Sequence, residues 1–143
     1  KVHYDYSVDM WSVGCTVAQM IFKKDPFFTG KDNSHQLYVI IETLGKDDLY
    51  TYLQKYRIPL KGYPHLDQIT RNELINKPFS EFTNSENMHL ASSDAIDFIE
   101  KILVYDPQER MTAREAMCHK WFSQIPNRNL AERGIDPKNP NGK

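Results

Sequence analysis

The sequence predicts a mainly α-helical fold, and three observations carry that expectation. Apolar residues recur at i, i+3, i+4 and i+7 in several segments, recognisable helix caps and stops bound those segments, and no stretch alternates as a half-buried strand does. The 143 residues, 40% hydrophobic and 26% charged, have the size and composition of one globular domain.

The first helix reads from Ser7 to Phe22, SVDMWSVGCTVAQMIF. It is apolar on nearly every face, with Asp9 as its only charge, so it should be buried on most sides. Lys23, Lys24 and Pro26 stop it, because cations complement the carbonyl end of the helix dipole and proline removes the next backbone donor. Asn33 or Asp32 can cap a second, amphipathic helix in which Leu37, Ile40, Ile41 and Leu44 share a face, with Gly45 just past its end. Asp47 can cap a third, where Leu49, Tyr52, Leu53 and Tyr56 repeat the spacing before Pro59.

Residues 57–91 are less regular. Pro59, Gly62, Pro64 and Pro78 break the pattern, leaving one short helical candidate from Leu66 to Ile75. Ser92 and Ser93 precede Ala95, Ile96, Ile99, Ile102 and Leu103, a capped amphipathic helix ending before Asp106-Pro107. Thr112 and Glu115 form a T-x-x-E capping box that opens a short helix through Met117. From Pro126 onward, Pro, Asn and Gly dominate, which predicts a tail over 126–143 that is extended on the surface or partly disordered.

Composition narrows the function classes. The longest uncharged apolar stretch, Met10 to Phe22, is shorter than the ~20 residues a bilayer requires and is interrupted by polar residues, so no membrane role is expected. A net charge of -1 argues against wholesale capture of nucleic acid. Cys15 and Cys118 lie far apart and make no disulfide framework, so a reducing, intracellular compartment is the simpler reading. The chain starts on Lys1 with no leader pattern ahead of its first motif, which reads as a cut start. With Cys118 beside His119 but no C-x-x-C or H-x-x-x-H, no metal site is expected. Tyr50, Tyr52, Tyr56 and Tyr63, interleaved with Lys55, Arg57 and Lys61, have the types that stack on single-stranded bases, but the helical spacing of Tyr52 and Tyr56 favours packing.

Asp9 is the most informative single residue. A carboxylate in an apolar helix costs several kcal/mol unless it finds donors. The alternative is a first-turn acid that complements the dipole for ~0.3–1 kcal/mol and needs no function. Its surroundings are unusual: Trp11 adjoins it, and Gly14 leaves room for another backbone one turn on.

The run Asp9-Met10-Trp11-Ser12-Val13-Gly14 resembles the D-x-W-S-x-G that starts the central helix of the large lobe in eukaryotic protein kinases. The later run from Asp106-Pro107 through Arg110, Thr112-Ala113, Glu115-Ala116, His119 and Phe122 resembles the D-P-x-x-R-x-T-A-x-E-A-x-x-H-x-x-F closing motif of that lobe. Met20 to Phe28, Asp32-Asn33 and Leu44-Gly45 further resemble the casein kinase II catalytic (alpha) subunit group, whose insert matches the excursion at about 46–91. The resemblance implies that residues 1–125 are the distal, C-terminal part of a kinase large lobe, followed by the tail.

It also implies roles. Asp9 would accept hydrogen bonds from catalytic-loop N–H groups, and with Trp11 and Gly14 it would hold that loop in position. Arg110 would pair with a glutamate at the end of the activation segment, a fork-to-carboxylate match that lysine does not reproduce; the alternative for Arg110 is a solvent-facing loop residue. Thr16 and Met20 would support the apolar column beneath the adenine ring, although Thr16 is smaller and more polar than the residue usual there. Lys23 and Lys24 resemble a basic pair near the substrate-docking surface, and complementing the helix dipole accounts for them equally well.

Phosphoryl transfer needs a Gly-rich loop, a strand lysine with its glutamate, a catalytic Asp and Asn, and a D-F-G aspartate. The 143 residues contain no G-x-G-x-x-G, H-R-D-L or D-F-G. The resemblance therefore implies a serine/threonine kinase parent that uses ATP and magnesium on acidic protein substrates, in cytoplasm and nucleus, with no catalytic, cofactor or metal residue in this part. Its partners would be the rest of the kinase domain and, through the small lobe, a regulatory beta subunit. The alternative is a non-catalytic helical interaction module, a kinase remnant that binds proteins.

Overall fold

A computed structural model describes residues 5–59, 77–126 and 128–142. Among them the regular structure is five α-helices and two 3₁₀ turns, with no β-strand, as the periodicity predicts. The helical candidate at Leu66 to Ile75, together with Tyr63 and the breakers Gly62 and Pro64, lies outside the described residues.

Helix α1 spans Tyr6–Phe22. It buries one stripe, Met10, Gly14, Ala18, Ile21 and Phe22, spaced to fall on a single face. The opposite face is open: Tyr6 is 87% exposed and Met20 68%, and Asp9, Val13 and Thr16 are exposed between them. This corrects the expectation of burial on most sides. An all-apolar surface needs cover all round, and the described residues cover one side.

The helix ends where the lysines begin. Lys23 takes a left-handed conformation (φ 52°), and its N–H and that of Lys24 both reach back to the Gln19 carbonyl, satisfying the last turn. Helix α2 spans Asn33–Leu44, and of its two candidate caps it uses Asp32, whose carboxylate accepts from His35 N at 2.8 Å. Helix α3 spans Lys46–Lys55 and follows at once. Gly45 alone reverses the chain at φ 91°, a conformation that favours glycine, so Asp47 falls inside the first turn of α3 instead of capping it. There Asp47 and Asp48 complement the positive end of the helix.

Helix α4 spans Ser93–Ile102 and is capped by Ser92, whose hydroxyl accepts from Ala95 N at 3.2 Å. It crosses α1 and supplies Ala95, Phe98, Ile99 and Ile102 to the core. Around this crossing gather Phe22, Phe27, Phe28 and Phe79, the last from a 3₁₀ turn at Phe79–Phe82. A second buried group, Ile41, Leu49 and Leu53, joins α2 to α3. Asn87, fully buried, fastens the loop after the 3₁₀ turn by donating to the Phe22 and Phe82 carbonyls at 3.2 and 2.9 Å.

Helix α5 spans Ala113–Cys118 and opens with the complete capping box: Glu115 N donates to Thr112 Oγ1 at 3.2 Å, and Thr112 N to Glu115 Oε2 at 2.8 Å. The tail differs from the extended strip that its composition suggests. Leu130 and Ile135 are buried, Arg128 donates to the Met117 carbonyl, and Asn141 donates to Glu115 Oε1 at 2.7 Å. Two buried apolar residues and these hydrogen bonds together hold a polar segment against α5.

Candidate functional site

The two sequence motifs, far apart along the chain, meet where the start of α1 faces the loop after α4. The α1–α4 crossing is close because position 14 has no side chain: a Cβ there would lie 2.5 Å from Ile102 Cγ2 and 2.8 Å from Leu103 Cδ2. That contact brings the loop carrying Arg110 against the first turns of α1. The Arg110 guanidinium lies over the Trp11 ring, 5.1 Å from its centroid, and Trp11 in turn stacks on Phe28 at 6.1 Å.

Arg110 is half-buried. One terminal nitrogen donates to the Ser7 carbonyl at 2.5 Å and the other to the Val104 carbonyl at 2.9 Å. Its Nε is buried with no hydrogen-bond partner among the described residues. Burial pulls the guanidinium pKa down from its usual range, with Tyr52, Cys15 and Asp106 acting in the opposite direction. Two neutral carbonyls do not neutralise the charge, so the site retains a cation with donor capacity left over. A planar five-donor fork explains an arginine here, since it can stack on Trp11 and reach two carbonyls at once.

Of the two readings of Asp9, the structure takes the first-turn acid: the residue is exposed in the first turn of α1, where its charge complements the helix dipole, and it is not a buried carboxylate. Thus Trp11, Gly14 and Arg110 come together, while Asp9 points to the open side of the helix with Thr16 and Met20. Thr16 Oγ1 bonds back to the Ser12 carbonyl at 2.9 Å. The basic pair is divided by the αL turn. Lys23 is exposed, whereas Lys24 turns inward, donating to the Phe27 carbonyl and lying 5.1 Å from the Phe27 ring centroid.

The residue that sequence reasoning missed is Asp106. It is buried, and three donors converge on it: Lys55 Nζ at 2.5 Å, Tyr56 Oη at 2.7 Å and Gln108 N at 2.9 Å. Burial raises its pKa, and the donors more than reverse this, so the carboxyl is held below its usual range. An Asp ahead of Pro107 was the available signal, because Asp accepts readily from the N–H two residues on. Its link to α3 had none. Tyr52 and Tyr56 are 5.1 Å apart by ring centroid and pack with Tyr105 and Asp106, as the helical spacing favoured.

His119 also finds a role: Nε2 lies 2.7 Å from Asp97, while Nδ1 accepts from Trp121 N at 3.1 Å. This joins α4 to the 3₁₀ turn at Lys120–Phe122. Cys15 and Cys118 are both free thiols, and burial pushes the Cys15 pKa up to about 11. No group of three or more metal-ligating side chains occurs among the described residues, and none of their helices is long and apolar enough to cross a membrane. Residues 1–122 match the family model of the protein kinase domain.

Proposed function

The chain belongs to the protein kinase domain family, and from that premise we propose that it is the distal part of the large lobe of a serine/threonine kinase. The parent enzyme, in this reading, resembles the casein kinase II catalytic subunit and moves the ATP γ-phosphate onto acidic protein substrates. The observation that carries the proposal is the meeting of Trp11, Gly14 and Arg110 at the α1–α4 crossing. It joins the two motifs that carry the resemblance, and the Arg110 guanidinium, held by two neutral carbonyls, keeps a charge that suits a carboxylate from the end of an activation segment.

The residues present do not fit ATP or magnesium. The sequence has no Gly-rich phosphate loop or D-F-G aspartate, and the described residues offer no cluster of metal ligands, so no catalytic step is assigned to them. Their work is positional. The open face of α1, with Tyr6, Asp9, Val13, Thr16 and Met20 along one stripe, suits cover by the rest of the kinase domain. In this reading the exposed Asp9 would accept from backbone donors of a loop laid over that face. Of the basic pair, the exposed Lys23 would face substrate directly, while Lys24 is turned inward over Phe27.

The coding sequence ahead of Lys1 and the mass of the natural protein test the reading. H-R-D and D-F-G motifs within a single open reading frame upstream of Lys1 support it; unrelated sequence there overturns it. Purified residues 1–143 with ATP and magnesium should leave an acidic peptide unphosphorylated, and turnover that tracks the pure chain would refute the assignment of catalysis to absent residues.

A further inference from the structure

The inward turn of Lys24 leaves a feature that the fold does not explain. Its ammonium lies 5.9 Å from the centroid of the Phe82 ring, and the Lys77 ammonium lies 4.6 Å from the same centroid. The two elements that carry them are distant in sequence, one following α1 and the other leading into the 3₁₀ turn at Phe79–Phe82. Neither ammonium pairs with a carboxylate among the described residues, whereas Lys55, Lys101 and Lys120 each do. Asp25 accepts from Gln19 at 2.5 Å and Glu42 from Tyr38; both keep their charge, but neither forms an ion pair with the two lysines.

Two like charges on one ring cost free energy in the folded chain. Burial lowers the Lys24 pKa, and the neighbouring Lys77 charge lowers it further. Each ammonium has three donors, and Lys24 commits one to the Phe27 carbonyl. Several N–H groups therefore remain for a ligand, on a base that is partly ordered: Phe82 packs on Phe22 and Phe27 at 5.8 and 4.9 Å.

We propose that Lys77 and Phe82, with Lys24, form a docking site for the acidic segment of a protein substrate. The phenyl ring holds the two ammonium groups in place, and a carboxylate-bearing chain laid across them relieves their repulsion. The proposal rests on the acidic-substrate reading above and adds Lys77 and Phe82 to it. Net charge is -1, so attraction of an acidic peptide to the molecule as a whole is weak and the patch must act locally.

The test is fluorescence anisotropy of a labelled peptide of alternating Asp and Glu with residues 1–143 at low ionic strength. Lys77 is exposed and its backbone N–H to the Glu42 carbonyl survives substitution, so Lys77→Ala and Lys77→Glu keep the fold. Lys77→Ala should weaken binding about 3- to 5-fold, the scale of one exposed charge pair. Lys77→Glu should abolish measurable binding, as should about 1 M salt, where the screening length is about 3 Å. In the wild type the peptide should shift the Phe82 ring NMR signals. The control Lys138→Ala should bind as wild type. Unchanged binding by Lys77→Ala, or an equal loss in Lys138→Ala, overturns the site. Binding of oligouridylate with the same Lys77 dependence overturns the substrate assignment in favour of nucleic acid. If the complete kinase treats acidic and neutral peptides alike, the substrate reading fails; if it prefers acidic peptides while Lys77→Ala binds as wild type, the docking site alone fails.

Discussion

Gly14→Ala probes the crossing on which the whole site depends. The added methyl meets Ile102 Cγ2 at 2.5 Å, Leu103 Cδ2 at 2.8 Å and Leu103 Cγ at 2.9 Å, all closer than carbon atoms approach without strain. Neither neighbour can retreat, because Ile102 is 0% exposed and Leu103 1%. Overpacking of this kind costs about 1–3 kcal/mol, and three close contacts on two fully buried side chains put it near the upper end. Against it stands the helix preference of Ala over Gly, worth about 1 kcal/mol. The net expectation is a loss of about 1–2 kcal/mol. For a chain of this size that lowers Tm by roughly 2–8 °C. Urea denaturation followed by circular dichroism should show a lower midpoint with an unchanged slope. Adding Ile102→Leu removes the Cγ2 methyl and should restore part of the loss, giving a coupling of ~0.5 kcal/mol or more. A Gly14→Ala chain as stable as wild type would show that helix propensity outweighs the contact and that the crossing has room.

Arg110→Lys should destabilise nearly as much as Arg110→Ala in the same assay, because an ammonium cannot reach both the Ser7 and Val104 carbonyls while stacking on Trp11; a fully stable Lys variant would reduce the site to charge alone. Thr112→Ala removes one half of the capping box and should cost about 1 kcal/mol, seen as a lower urea midpoint. Asp106 and Asp97 both have folded pKa values below their unfolded values, Asp106 through Lys55, Gln108 and Tyr56 acting against burial, and Asp97 through Lys101 and His119. Such groups contribute stability that is fully present above the unfolded value of about 4 and is lost as pH falls through the lower folded value. Stability should therefore drop below about pH 4, and Asp106→Asn should flatten that part of the profile; an identical acid limb in the variant would refute the assignment of its donors.

Most of the helix map was legible because its signals are local. Asp32, Ser92 and the Thr112/Glu115 box act on N–H groups three residues away, and each caps the helix the sequence assigns to it. Asp47 failed as a cap for an equally local reason: α2 and α3 share Gly45, so no position was left for one. Of the candidate site, Trp11, Gly14 and Arg110 were legible as motif members, and their residue types suit stacking, close approach and forked donation.

Which groups they meet was decided by the fold. No short-range rule links Arg110 to Ser7, Lys55 to Asp106 or His119 to Asp97, because those partners come together only when α1, α3 and α4 pack. Burial is decided in the same way. A run as apolar as Tyr6–Phe22 states that much of its surface wants cover, but which face is covered depends on what else packs there, and in this chain Asp9 and Met20 remain open. The tail shows the converse, since Leu130 and Ile135 were too sparse to announce a core contact yet anchor a polar segment. Sequence thus determined where helices start and stop, through hydrogen bonds that span a single turn. Tertiary structure alone decided which charges pair and which faces stay exposed, because Coulomb attraction and apolar burial depend on distances that only chain closure sets.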